Sequence, residues 1–423
     1  MTASASTPAS TPASTPTSKP ALRNSSFRLL WTSSTISGLG SWLLVVALPF
    51  HVFQLTGSPA ATGLTLALEA LPALLLGPWI GALLDRWDLT RAMWLADLAS
   101  AAAVALILLA DSAADVWLIY VAALGENLAT TVFRPAARAL TPAVLGTGPE
   151  LVAANSLNAL TGSVLRLAVP PLGALLLAGP GITSVLLVDI GSYLLSALLI
   201  TRVGHRRHAT AAKAKVPESE RGTLAGVRAD LRTGLRHVIR APALRGPLAA
   251  NGVFLTANAA LTVLLVPFVT GHLNAPGYAV GYLISGLGAG FIAGSVISRR
   301  ILTRFRTRHI LGATQLANGA AYFALFNAPN LPLAIAAAAL LGLPGSILLI
   351  AVETHVQRTA PPAMLGRVSA LFFAVDSLAA VVGALCAPAL VAILGLTPAL
   401  NAISALALLA VPVSISKRTV RRP

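Results

Sequence analysis

Between Ala60 and Ala110 the chain reads AATGLTLALEALPALLLGPWIGALLDRWDLTRAMWLADLASAAAVALILLA. Two apolar runs, 60–84 and 92–111, flank a charged turn from Asp85 to Arg91. A helix needs about 20 mostly apolar residues to cross the hydrocarbon core of a bilayer. Each run meets that length, so the stretch is a hairpin of two spanning helices. Its turn carries Arg86 and Arg91, which places it on the side where Lys and Arg collect, the cytoplasm.

The rest of the chain follows the same rule. Of 423 residues, 56% are hydrophobic and 10% charged, and the mean hydropathy is +0.79. Soluble domains carry about 25% charged residues, so soluble enzymes and nucleic-acid binders are excluded despite a net charge of +16. One cysteine, Cys386, leaves no disulfide framework and no paired-cysteine metal or redox site. Twelve apolar runs are legible: 28–55, 60–84, 92–111, 116–133, 151–177, 182–201, 247–271, 277–298, 309–327, 331–352, 365–393 and 396–415. With the N-terminus inside, 29 of the 30 Lys and Arg fall in inner segments; the exception, Arg166, lies within a span. The expectation is an all-α membrane protein with twelve transmembrane helices and both termini cytoplasmic. Residues 1–24, rich in Ser, Thr, Pro and Ala, are expected to be a disordered tail rather than a cleaved signal peptide. Residues 417–423 form a second short tail.

Residues 202–245 hold 11 cations and divide the spans into six-helix bundles over 25–201 and 246–416. A constant spacing of 218 residues pairs Pro49 with Pro267, Phe50 with Phe268, Gly63 with Gly281, Arg86 with Arg304, Gly148 with Gly366 and Pro170 with Pro388. An even number of spans per half makes the two repeats parallel, an arrangement that encloses a cavity two rocking halves can expose alternately. Within the connection, Leu224, Val227, Leu231, Leu235 and Val238 recur at helical spacing beside Arg228, Arg232, Arg236 and Arg240. That pattern is an amphipathic helix lying at the inner membrane surface.

The run Gly77-Pro78-Trp79-Ile80-Gly81-Ala82-Leu83-Leu84-Asp85-Arg86-Trp87-Asp88-Leu89-Thr90-Arg91 resembles the signature loop of the major facilitator superfamily, Gly-x-x-x-Asp-Arg-x-Gly-Arg. Gly81, Asp85 and Arg86 match in register, whereas Asp88 and Leu89 replace the second glycine and the following cation. The resemblance implies a cytoplasmic latch built from Gly81, Asp85, Arg86, Arg91 and Asp97, with Gly366 and Arg367 as its counterpart in the second half. Ala47-Leu48-Pro49-Phe50 with Leu55-Thr56-Gly57-Ser58-Pro59, and Phe133-Arg134-Pro135-Ala136-Ala137-Arg138, resemble a bacterial efflux branch that includes macrolide and enterobactin exporters. Val169-Pro170-Pro171-Leu172-Gly173-Ala174 is a weakened form of the exporter motif of the fifth helix. The arginine-centred motif that many proton-coupled exporters carry in the fourth helix is missing, since no cation precedes Arg134 there.

An ionisable group at mid-membrane costs about 2.5–3.5 kcal/mol on insertion scales, and it persists with a partner, a wet cavity or a function. At 1.5 Å per residue, Glu69 and Glu126 lie about 15 Å into their helices, and Arg166 and Asp376 are similarly deep. Arg166 stays charged, with Glu126 or Asp189 as its counter-ion; Arg166–Asp189 is the expected buried pair. An unpaired carboxylate can exchange protons with a cavity, which makes Glu69, Glu126 and Asp376 the proton-coupling candidates. Asn127, Asn251 and Asn258 sit on helices that line the cavity in the resembled superfamily. No Gly-x-x-x-x-Gly-Lys-Ser/Thr sequence or His/Cys cluster occurs, so the chain reads as neither an enzyme nor a cofactor protein. The expected partners are membrane lipid, a small-molecule substrate and protons, acting on a monomer in the bacterial inner membrane. The expected function is proton-coupled efflux of a lipophilic compound, with a lipid flippase or a transport-dead sensor as alternatives.

Overall fold

Asn24 starts the first helix by accepting a hydrogen bond from the Phe27 backbone N–H at 3.1 Å, and Gly57, at φ 62°, ends it. The computed structural model describes residues 21–84, 87–146, 149–203, 232–233, 235–236, 238–359 and 365–409. Among them are twelve α-helices of at least 14 residues: α1 (Ser25–Thr56), α2 (Pro59–Leu84), α3 (Leu89–Ile107), α4 (Val116–Leu145), α5 (Pro149–Ala178), α6 (Ile182–Thr201), α7 (Pro242–Pro267), α8 (Val280–Arg304), α9 (Thr307–Phe326), α10 (Leu331–Thr359), α11 (Leu365–Leu394) and α12 (Leu396–Leu409). Helical backbone is also present at 238–240, just ahead of α7. The tails and most of the amphipathic connection lie outside the described residues.

Over their described residues, nine of these helices are long and apolar enough to cross a membrane, α1–α4, α6–α8, α10 and α11. α9 is made more polar than these by its buried Thr314, Gln315 and Asn318. α4 outruns its apolar run by twelve residues, continuing through Pro135 and Pro142 to Leu145. It does so as a two-faced extension, with Phe133, Ala136 and Leu140 buried and Arg134 and Arg138 exposed. Apolar length measures the hydrocarbon crossing alone, and a helix that stays packed can continue into water.

The packing repeats with the sequence. In the first half α1 packs on α5 and α6, α3 on α4 and α6, and α2 on α4. In the second half α7 packs on α11 and α12, α9 on α10 and α12, and α8 on α10. The halves meet through α2–α11 and α5–α8, two contacts that the repeat relation exchanges. Gly63 makes the first possible, since a Cβ there would sit 2.3 Å from the Ala384 carbonyl oxygen on α11.

The two ends of the molecule differ. At the cation-poor end one hydrophobic core is shared by both halves: Ala67 is buried with Leu264, Phe268 and Ala384, and Phe50 and Phe53 of α1 pack against it. At the cation-bearing end the cores are separate. Ile80, Met93 and Leu140 pack within the first half, and Ile310, Val356 and Phe372 within the second.

Candidate functional site

Between α1, α4 and α5 lies a cavity of about 380 Å³, in the cation-bearing half of the first bundle. Trp31, Trp42 and Leu165 give it apolar walls, Arg134 and Arg138 stand along α4, and Asp97, Ser100 and Tyr193 line its back from α3 and α6. The Trp31 indole N–H donates to Thr161 Oγ1 at 3.0 Å, which fixes that ring between α1 and α5. The cavity therefore joins aromatic surface to one deep carboxylate and two guanidinium groups nearer its mouth, a combination suited to an amphipathic molecule.

Asp97 is 1% exposed. Ser37 on α1 donates to its Oδ1 at 3.3 Å. Arg91, by contrast, is exposed at the start of α3, so Asp97 sits two turns deeper than the latch loop with which the sequence groups it. Asp85 and Arg86 lie outside the described residues, as does the side chain of Arg367, while the backbone of Gly366 belongs to the first turn of α11. Gly81 is carried near the inner end of α2. Asp88, a departure from the family pattern, has a local function: its side chain accepts from the Arg91 backbone N–H at 2.9 Å and caps α3. A carboxylate at this position also complements the helix dipole.

A hydrogen-bonded chain leads from the cavity into the bundle. Tyr193 donates to Glu126 Oε1 at 2.6 Å, which leaves the Ser41 hydroxyl as donor to Tyr193 Oη at 2.9 Å. Glu69, on α2, lies within the electrostatic field of Glu126, and Asp189 interacts with the same group from α6. Asp189 is fully buried, and Ser192 donates to its backbone carbonyl at 2.7 Å. Gly40 lets α1 pass this point, because a Cβ there would come 2.1 Å from Asp189 Oδ1. The side chain of Arg166 lies outside the described residues, so the expected Arg166–Asp189 pair falls there too.

Asp376, the third proton candidate, belongs to the other half. It accepts from Asn251 Nδ2 at 2.5 Å across α7 and α11. Asn127 donates to the Ala123 carbonyl of its own helix at 3.1 Å, and Asn258 is half-buried. None of Asn127, Asn251 and Asn258 lines the 380 Å³ cavity; Asn155 and Asn158 of α5 do. Sequence reasoning passed over Tyr193, Ser41 and Trp31. A signal for Tyr193 was present, since it stands one helical turn after Asp189, the one charged residue within α6. Among the described residues no group of three or more His, Cys, Asp or Glu side chains is gathered to hold a metal.

Residues 16–422 match the family described as transmembrane secretion effector. The chain is 27% identical over 365 residues to the uncharacterized MFS-type transporter YfiS of Bacillus subtilis, covering 84% of each. It is 26% identical over 179 residues to macrolide efflux protein A of Streptococcus pyogenes, covering 42% of this chain and 44% of that one. Solved structures share the fold. A bacterial homologue of the human lysosomal transporter Spinster superposes with a TM-score of 0.71 at 17% identity, covering 94% of this chain and 97% of that one. The nucleoside transporter NupG does so with 0.72 at 12% identity, covering 91% and 97%.

Proposed function

Because the chain belongs to the transmembrane secretion effector family of major facilitator transporters, we propose that it exports a lipophilic small molecule across the bacterial inner membrane by alternating access, in exchange for protons. The observation that carries this reading is the unequal joining of the halves. They share a hydrophobic core at the cation-poor end, keep separate cores at the cation-bearing end, and leave the 380 Å³ cavity on the latter side. With the cations inside, this arrangement is the inward-facing state, ready to take substrate from the cytoplasm or inner leaflet. Similarity to a protein named for macrolide efflux favours export over import.

The Ser41–Tyr193–Glu126 chain supplies a proton route. When Glu126 releases its proton, Tyr193 Oη accepts it while passing its own to Ser41 Oγ, and the Ser41 proton leaves to the cavity. The 2.6 Å contact between Tyr193 Oη and Glu126 Oε1 supports such a route. Substrate then occupies the cavity against Trp31, Trp42 and Asp97, and rocking of the halves carries it outward. Glu69, close enough to Glu126 to interact, takes part in reloading from the other side.

The test is proton flux in reconstituted vesicles, screened against lipophilic compounds for wild type, Glu126→Gln and Glu69→Gln. Compound-dependent proton movement, reduced at least tenfold in Glu126→Gln, is expected. Compound export that persists unchanged in both variants removes the proton route. Lipid probes crossing the bilayer while no compound moves replaces efflux with lipid transport.

A further inference from the structure

The outer surface of the second half carries a groove whose chemistry differs from that of the cavity. α7, α11 and α12 wall a furrow of about 560 Å³ that is aliphatic apart from Thr256, with Arg245 at its cation-bearing end. Leu235, Val238 and Ile239, from the segment ahead of α7, close that end. From Arg245 to Thr256 along α7 is about 16 Å at 1.5 Å per residue, half of a hydrocarbon core about 30 Å thick. The furrow is therefore as deep as one leaflet. It has a floor because α11 comes close to α7, where a Cβ on Gly383 would sit 2.3 Å from the Thr256 carbonyl oxygen.

Charge is placed at the headgroup level. At roughly 100° per residue on a helix, Val238, Leu235, Ile239, Arg232, Arg236 and Arg240 follow one another around a single arc. The arginine ridge thus begins where the groove-lining side ends. Arg232, Arg236, Arg240 and Arg245 are all exposed, and no acidic side chain lines the furrow among the described residues. A zwitterionic headgroup would set its own cation against these guanidinium groups, whereas a net-negative one would not.

We propose that this groove binds one anionic phospholipid of the cytoplasmic leaflet, its acyl chain laid along α7 and its phosphate held between Arg245 and the arginine ridge. The lipid pins the end of the 202–245 connection to the second half, so its occupancy bears on how the two halves are tethered.

The experiment is lipid binding to the full-length protein in neutral detergent by native mass spectrometry, with phosphatidylglycerol and phosphatidylcholine of matched chain length. Phosphatidylglycerol is expected to bind at least tenfold more tightly. Arg245→Gln should weaken it about fivefold, Arg245→Lys should retain most of the affinity, and Ala249→Trp, which fills the groove without changing charge, should displace the lipid. Equal affinity for the two lipids overturns the proposal. So does phosphatidylglycerol binding unaffected by both Arg245→Gln and Ala249→Trp, or glycerol phosphate binding as well as the whole lipid.

Discussion

The third helix of each half holds the same place in the repeat, yet α3 puts Asp97 and Ser100 where α9 puts Gln315 and Asn318. Asp97 lines the cavity. Gln315 is fully buried and donates to the Ala250 carbonyl on α7 at 3.1 Å, holding two helices together. The same spacing sets Leu287 against Glu69, Pro344 against Glu126 and Ala407 against Asp189. Duplication copied the backbone and its packing, while the acids connected to Tyr193 stayed in one half. Under the proposed function, the second half is mainly the surface against which the first works. Asp376 is its counterexample, placed one repeat after the cavity-lining Asn158.

Exchanging the chemistry of α3 and α9 tests the contrast most strongly. Gln315→Glu puts a charge into a fully buried position and should cost about 3 kcal/mol or more, read as lost folded protein or a lowered Tm in detergent. Asp97→Asn should leave Tm nearly unchanged and reduce substrate transport at least tenfold. If Gln315→Glu folds normally, or Asp97→Asn transports normally, the two halves are not divided in this way.

Packing inside the first half comes next. Gly40→Leu drives side-chain atoms into Asp189 and Ser192, with an expected loss of about 1–3 kcal/mol in thermal unfolding. Gly191→Leu, on α6 near Asp189 but with nothing within 4 Å, is the control and should stay near wild type. Tyr193→Phe removes both hydrogen bonds of the relay and should cost about 1–2 kcal/mol. Its proton flux should fall severalfold more than its substrate binding; equal losses in both would assign Tyr193 a purely structural role.

Smaller effects sharpen the same comparison. Asn251→Ala takes from Asp376 its donor across α7 and α11 and should cost about 1 kcal/mol, with transport largely preserved if the second half is the passive partner. A transport loss matching that of Glu126→Gln would move the coupling site to Asp376. Asn127→Ala should shift stability by less than about 0.5 kcal/mol, because its amide reaches only the carbonyl one turn back.

Much of this architecture is legible without coordinates. The hairpin at 60–111, the division at 202–245 and the 218-residue spacing predict twelve helices in two parallel bundles. That spacing brings the starts of α1–α6 onto those of α7–α12 to within four residues. The helix ends are less legible, as the extension of α4 through Pro142 illustrates, because hydropathy reports the bilayer and not the water beyond it.

The site divides differently. Sequence alone picked out Glu69, Glu126, Asp189 and Asp376, since a charge in an apolar run is conspicuous wherever it faces. Which of them meet was decided by the tertiary structure: Glu126 reaches Tyr193 across 67 residues, and Asp97 accepts from Ser37 across 60. Span length, orientation and repeat are set by local runs of residues acting against a slab of fixed thickness, so the sequence determines them by itself. The direction in which each helix faces, and the end at which the halves close, depend on contacts such as Gly40 beside Asp189 and Gly63 beneath Ala384, which exist only once the bundle is packed.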